Sequence, residues 1–287
     1  MQNKNQFVSL NGQILPVSEA LIYPGHSGFY YGAGCFETFL AIESKIFKFS
    51  EHIERLNNGL EYLGNQATKR VNEHDFYSLI MMLLDKNGLS EKRVRIRLQV
   101  WLDERKGYNP GDETELISFI TVNPVINTNE TCTLITAGTR TVPSDCKPSK
   151  LKLSNMLHYR NAFREAKSMG ANDALLLTVN QNIAETSIAN IFWKKGTEVY
   201  TPSAECDILP GITRNTVCEI LSGLSNINIH EGHYLEDTIY DADTAWTTNS
   251  IAGICEVTRL NDFTFNTDKE FIDSLRKKLM ARMEQPE

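Results

Sequence analysis

From Arg93 the chain alternates: Arg93, Arg95, Arg97 and Gln99 fall on one side, and Val94, Ile96, Leu98 and Val100 on the other. A period of two with one apolar side predicts a half-buried strand over 93–101. Residues 7–10 and 13–16 flank Asn11-Gly12, a pair that accepts the backbone of a tight turn, so a hairpin is expected there. Further strands are expected at 35–42, 116–122, 174–179, 189–193 and 198–201. Helices are expected over 50–63, 73–87, 155–169 and 269–283, with another opening at Thr213 and stopping before Gly223. Ser50 is the expected cap of the first helix, and Glu51 and Glu54 suit the positive end of its dipole. Gly88 and Gly170 stand where the second and third should stop.

Strands and helices alternate on both sides of 123–130, an Asn/Thr-rich stretch with a single proline. That stretch is the expected linker between an N-terminal α/β domain, 1–122, and a larger C-terminal mixed α/β domain, 131–287. A chain of 287 residues has length for two such units. No internal repeat or low-complexity tract interrupts them.

Composition narrows the partners. With 41% hydrophobic and 23% charged residues the chain is ordinary globular material. A net charge of -7 and the absence of any Lys/Arg run argue against nucleic acid and anionic lipid. The longest aliphatic run, 79–84, is too short to span a bilayer, and the polar residues 1–6 lack the apolar core of a secretory signal. Six scattered cysteines without a C-x-x-C pair read as reduced thiols of a cytoplasmic protein. His230 and His233 have no third ligand nearby in sequence, so no metal site is expected.

None of this names a reaction. Six segments do when taken in order: 26–38 (HSGFYYGAGCFET), 52–56 (HIERL), 152–155 (KLSN), 184–193 (AETSIANIFW), 209–214 (LPGITR) and 247–253 (TTNSIAG). Together they resemble the class IV aminotransferase family, and the resemblance runs nearly end to end. It implies the two-domain α/β fold of fold type IV enzymes, pyridoxal 5'-phosphate as cofactor, a small-molecule amine as substrate and a homodimer.

Each segment has a chemical reason. Lysine chemistry on a carbonyl cofactor needs an amine kept neutral by burial or by positive neighbours. The resemblance makes Lys152 that amine; the residues alone leave Lys147 and Lys150 equally open. A carboxylate must keep the pyridine nitrogen protonated if the ring is to draw electrons, and Glu185 matches it. Arg55 matches the family's phosphate arginine. Pro210-Gly211 opens a helix whose Ile212 and Thr213 N–H groups suit an anion, and Ser250 should add a hydroxyl. On the substrate side stand Phe36 and Thr38, with Arg97, Tyr108 and Asn249 as further candidates. For the Arg93/Arg95/Arg97 row a solvated strand face is the simpler reading, and the loop around Arg105 and Tyr108 is the more natural source of specificity.

Two departures stand out. Gly32-Ala33-Gly34 replaces the family's frequent Gly-Asp-Gly, and Met156 and Leu157 occupy the places four and five beyond Lys152 where many members carry a tyrosine. Phe36-Glu37-Thr38, residues 192–196, 200–202 and 246–250 look most like the 4-amino-4-deoxychorismate lyase branch, which makes 4-aminobenzoate for folate synthesis. The competing expectations are an amino-acid aminotransferase of branched-chain or D-amino-acid type and a non-catalytic protein on the same fold. The last would have lost Lys152 or Glu185, and both are present.

Overall fold

The computed structural model describes residues 6–64, 70–103, 115–126 and 128–284. They form two compact units, and the division is not a single cut in the chain: residues 151–155 pack with the first unit, while 128–150 and 156–284 form the second. A linear split at 123–130 would instead put 151–155 in the C-terminal domain. No helix among the described residues is long and apolar enough to cross a membrane.

The first unit is built on a six-stranded sheet. Its strands are β1 (Phe7–Leu10), β2 (Gln13–Pro16), β3 (Gly34–Ile42), β4 (Lys45–Ile46), β5 (Arg93–Leu102) and β6 (Leu116–Pro124), in the order β2-β1-β6-β5-β3-β4. The Asn11-Gly12 turn closes the hairpin with both residues at positive φ, 50° and 79°. Val94, Ile96, Leu98 and Val100 of β5 are fully buried, as the alternation requires. They meet the apolar faces of α2 (Phe49–Tyr62) and α3 (Glu73–Lys86) in one core. A single short turn, α1 (Ser27–Tyr31), precedes β3.

Ser50 does not cap α2. The helix opens at Phe49 behind Lys48, which holds a left-handed φ of 51° and makes no side-chain capping bond. Phe49 is buried and meets Phe39 edge-on at 5.5 Å, so packing sets the helix start and places Ser50 inside the first turn. Its hydroxyl bonds to Glu73 instead. Asn72 caps α3 by accepting from the Asp75 N–H at 3.0 Å.

Residues 151–155 extend the first sheet. Phe36 N–H donates to Lys152 O at 3.0 Å and Ser154 N–H donates to Gly34 O at 2.8 Å. Leu153 enters the first core.

The second unit has a nine-stranded sheet in the order β12-β11-β10-β13-β14-β7-β8-β9, with β15 paired to β14. The strands are β7 (Thr131–Thr136), β8 (Asp173–Leu177), β9 (Ile183–Thr186), β10 (Asn190–Lys195), β11 (Glu198–Pro202), β12 (Asn228–Gly232), β13 (Thr244–Asn249), β14 (Gly253–Leu260) and β15 (Phe263–Thr264). Helices α4 (Leu157–Ser168), α5 (Ile212–Ser222) and α6 (Lys269–Met283) accompany it. Trp193, Ile191, Val257 and Leu175 anchor its core, and Phe192 stacks on Trp246 at 5.4 Å.

One charge cluster is buried between β3 and α2. Glu37 is fully buried, and Arg55 clasps it by two bonds, Nε to Oε1 at 2.7 Å and Nη2 to Oε2 at 2.8 Å. His52 Nδ1 lies 2.7 Å from Oε2. Burial pushes the Glu37 carboxyl up, but Arg55 and then His52 outweigh it and leave it pulled down to about 2. His52 is itself held below its ordinary range by burial, so it serves Glu37 as a neutral N–H donor and Arg55 carries the charge pairing. Because the folded value lies below the unfolded 4.5, this stabilisation is complete above pH 4.5 and is lost as pH falls toward 2. Glu37→Gln is expected to cost roughly 2–4 kcal/mol at neutral pH, by depriving Arg55 of its carboxylate. It should also flatten the acid limb of stability, measured by urea unfolding at a series of pH values; an unchanged acid limb would assign that limb elsewhere.

Candidate active site

In the first unit the candidate residues surround Phe36. Pairing of β3 with β5 sets Phe36 opposite Gln99 and Thr38 opposite Arg97, so these four share one face of the sheet. The Arg97 guanidinium lies 3.8 Å from the centre of the Phe36 ring and donates to Gln99 Oε1 at 3.0 Å. Lys152 Nζ is 4.9 Å from the same ring centre. Gln99 Nε2 in turn bonds Ser154 Oγ at 2.6 Å and Cys35 O at 3.1 Å, fixing the segment that bears Lys152. Glu37, Arg55 and His52 are held together beside this cluster, and the positive charge of Lys152 contributes to lowering His52.

In the second unit everything converges on Asn190, the first residue of β10. Its Nδ2 donates to Glu185 Oε2 at 3.0 Å and to Leu209 O at 2.8 Å. Oε1 of Glu185 accepts from the Leu209 N–H at 3.0 Å and from the Tyr159 hydroxyl. Gly211 is the N-cap of α5, and a Cβ there would lie 2.3 Å from Asn190 Oδ1, so the close approach demands glycine. Helix α5 begins with Ile212 and Thr213, both buried, and no side chain caps it. Their N–H groups therefore form an anion seat at the positive end of the dipole. Across the ladder Thr248 pairs with Asn190, and its buried hydroxyl has no partner among the described residues. A buried orphan hydroxyl two residues from Ser250, on the strand beside the helix start, is what an anionic ligand would satisfy. Asn249 Oδ1 accepts from Ile251 N–H at 3.0 Å and Ala252 N–H at 2.8 Å, so half of its amide is spent on the turn carrying Ser250.

The three lysines left open by sequence separate cleanly. Lys150 is exposed. Lys147 belongs to the second unit, with its ammonium 5.7 Å from the centre of the Tyr159 ring, and burial lowers its pKa against the pull of Glu185. Lys152 sits against Phe36 in the first unit. Tyr108 and its loop lie outside the described residues.

Three residues escaped the sequence reading: Tyr159, Asn190 as a hub, and Lys147 as a neighbour of Glu185. Tyr159 lies seven places beyond Lys152, where helical spacing makes it simply an inward-facing aromatic. Only its hydroxyl bond to a buried carboxylate reveals it. Asn190 was visible, since it follows Glu185 by five residues inside a motif segment.

Known proteins resemble this chain along most of its length. The amino-transferase class IV family model matches residues 34–260. The chain is 28% identical over 264 residues to the aminodeoxychorismate lyase of Bacillus subtilis (strain 168), covering 91% of this chain and 88% of that one. It is 31% identical over 242 residues to a probable branched-chain-amino-acid aminotransferase of Rickettsia typhi, covering 76% and 75%. Its fold matches the branched-chain amino acid aminotransferase of Thermobaculum terrenum in its PLP-form, with a TM-score of 0.86, 19% identity and 98% and 95% coverage. The expected fold type is thus borne out, and the chain belongs to the class IV aminotransferase family of pyridoxal 5'-phosphate enzymes.

Proposed function

We propose that this enzyme is a lyase that releases pyruvate and 4-aminobenzoate from 4-amino-4-deoxychorismate, acting as a cytoplasmic homodimer. The observation that carries the reading is the likeness to the Bacillus subtilis lyase, which spans 91% of the chain and so includes both halves of the site. A second reading, transfer of an amine to a 2-keto acid, draws on the 31% identity to the Rickettsia typhi protein.

The donor set fits the cofactor. In the second unit a dianionic phosphate would find the Ile212 and Thr213 N–H groups and the Ser250 hydroxyl, and the first unit's candidate for the same group is Arg55, whose Nε and Nη2 hold Glu37. The orphan Thr248 hydroxyl is a further donor beside them. Glu185, buried and oriented by Asn190 and Leu209, would hold the proton on the pyridine nitrogen. Bound pyridoxal phosphate supplies the electron sink that the protein's own side chains lack. Lys152 would hold the cofactor at rest; its amine would then take the proton from the substrate ring carbon as the ring C–O bond to the enolpyruvyl group breaks, and return a proton to the departing enolate, which becomes pyruvate. Aromatisation of the ring drives that release forward.

The substrate's carboxylates call for cations on an aromatic face. Arg97 lies against Phe36 in that way, with Thr38 beside it. Asn249 offers the amide nitrogen that its turn does not use, and Tyr108 belongs to the loop that follows β5. Support for the homodimer comes from the surface of the first unit: Leu21, Tyr23, Phe29 and Tyr30, close in sequence, are 85%, 59%, 73% and 64% exposed. A cluster of that size and apolarity is normally covered by a partner.

Given 4-amino-4-deoxychorismate and no keto acid, the cofactor-loaded protein is expected to release 4-aminobenzoate and pyruvate in equal amounts over many turnovers. Release of neither, with amine transfer from an L- or D-amino acid to 2-oxoglutarate or pyruvate, would replace the lyase reading by the second one. Lys152→Ala should lower turnover by about 10³-fold or more while leaving the circular dichroism spectrum intact. Full activity in that variant would return the role to Lys147.

A further inference from the structure

Glu185 is oriented by more than the family motif. Asn190 and the Leu209 N–H both come from segments recognisable in the sequence, whereas the third donor, Tyr159, comes from α4 and from none of them. The Tyr159 ring is buried, and its hydroxyl donates to the same Oε1 that receives the Leu209 N–H. Three donors on one buried carboxylate do two things. They fix its plane, and they stabilise its charged form relative to its protonated form.

We propose that Tyr159 is a positioning residue that sets, through Glu185, how firmly the cofactor's pyridine nitrogen keeps its proton. The proposal rests on Glu185 being the pyridine's partner. When that partner is bound, the proton between nitrogen and carboxylate has two places to sit. A hydroxyl donating to the carboxylate favours the pair in which the nitrogen is protonated and Glu185 is charged. Without it, the balance moves toward neutral nitrogen and protonated Glu185, and the ring draws electrons less strongly. Tyr159 is suited to this duty: burial, and after it the charge of Glu185, push its phenol well above the ordinary value, so it stays a donor throughout the working range.

Other groups face the pair. Lys147 lies over the Tyr159 ring, the His158 ring centre is 4.1 Å from it, and Asp207 acts on the phenol at longer range. Burial and then Lys147 pull His158 down to about 4, so it is neutral above that pH, and Asp207 is engaged by the Ser144 hydroxyl and N–H at 2.8 Å. Burial lowers the Lys147 pKa and Glu185 pulls it back up, and by the same attraction a charged Lys147 favours the charged carboxylate.

The test uses the cofactor-loaded protein without substrate and reads the pH midpoint of the cofactor's visible absorbance change. A less electron-poor ring makes the Schiff-base nitrogen more basic, so Tyr159→Phe should move the midpoint up, by on the order of one pH unit, a tenfold change in the protonation constant. Placing 3,5-difluorotyrosine at 159, a more acidic and stronger donor, should move it down. In turnover, Tyr159→Phe is expected to lower kcat about tenfold with KM changed less than about threefold. Opposite shifts from the two variants are not what a packing role gives; shifts of the same sign, or none, overturn the proposal. Glu185→Gln separates the two layers of the argument. If it raises the midpoint and abolishes any further effect of Tyr159→Phe, the coupling through Glu185 stands. If Glu185→Gln raises the midpoint but Tyr159→Phe still adds its full shift, Tyr159 acts by another route and the proposal falls. A Glu185→Gln midpoint equal to wild type would overturn the proposal together with the assignment of Glu185.

Discussion

The candidate cluster of the second unit depends on the carboxamide of Asn190. Its nitrogen has two hydrogens and the structure uses both, one on Glu185 and one on the Leu209 carbonyl, 2.8–3.0 Å away. Its oxygen occupies the space in which a side chain at position 211 would begin. One residue therefore aims the carboxylate, fixes the approach to α5 and requires the glycine at its N-cap. Only an amide does all of this. Aspartate would lack both donors and set a second negative charge against Glu185, and leucine would leave the carboxylate and the carbonyl without their bonds. The position of Asn190 is in turn imposed by β10, whose partner β13 brings Thr248 alongside and Asn249 and Ser250 just beyond it. The register of this strand pair thus sets Asn190, which holds Glu185 of β9, across from Thr248.

The first half solves a related problem differently. Glu37 is buried more completely than Glu185, and here a guanidinium fork joins the neutral donor His52 in compensating it. A charged partner suits a group whose task is to hold another side chain in place, because the ion pair keeps Arg55 at a set point on α2. For the proposed role of Glu185 against a pyridinium, hydroxyl, amide and backbone donors orient the carboxylate and leave its charge in force. The two glutamates carry the same chemistry in opposite settings, and the difference lies in their neighbours.

How much of this could be read from sequence follows the same physics. The alternation in β5 announced itself because one side faces a core and the other does not. Helix α6 was legible to the residue from its amphipathic spacing. Strand β13, with the sequence TAWTTN, was not: both of its faces are buried, so its threonines carry no polar side to contrast with an apolar one. Helix α2 opens two residues earlier than a Ser50 cap would place it, because the burial of Phe49 outweighs the capping preference of Ser50. Sequence proposed Lys152, Glu185, Arg55, Ile212, Thr213 and Ser250 through ordered motifs, in which a residue's neighbours single it out. It passed over Tyr159, whose neighbours identify only a helix. Contacts that lie between motifs, and not within them, are the part that folding alone discloses.

Lys152 shows the value of that distinction. Residues on both sides of 151–155 belong to the second unit, yet this short segment is hydrogen-bonded into the first sheet. Phe36 N–H to Lys152 O and Ser154 N–H to Gly34 O hold the backbone on either side of Leu153, directly after the lysine. Leu153, buried in the first core, prevents the segment from sliding, since a shift of one residue would exchange it for Lys152 or Ser154. The lysine thus springs from a backbone segment tied into the sheet. In the proposed role, in which an amine first holds a cofactor and then moves a proton, such a fixed root beneath a long side chain is what the chemistry asks for. The surrounding chain spends an entire sheet extension on it, which explains why the excursion of 151–155 into the first unit is so brief and so tightly bonded.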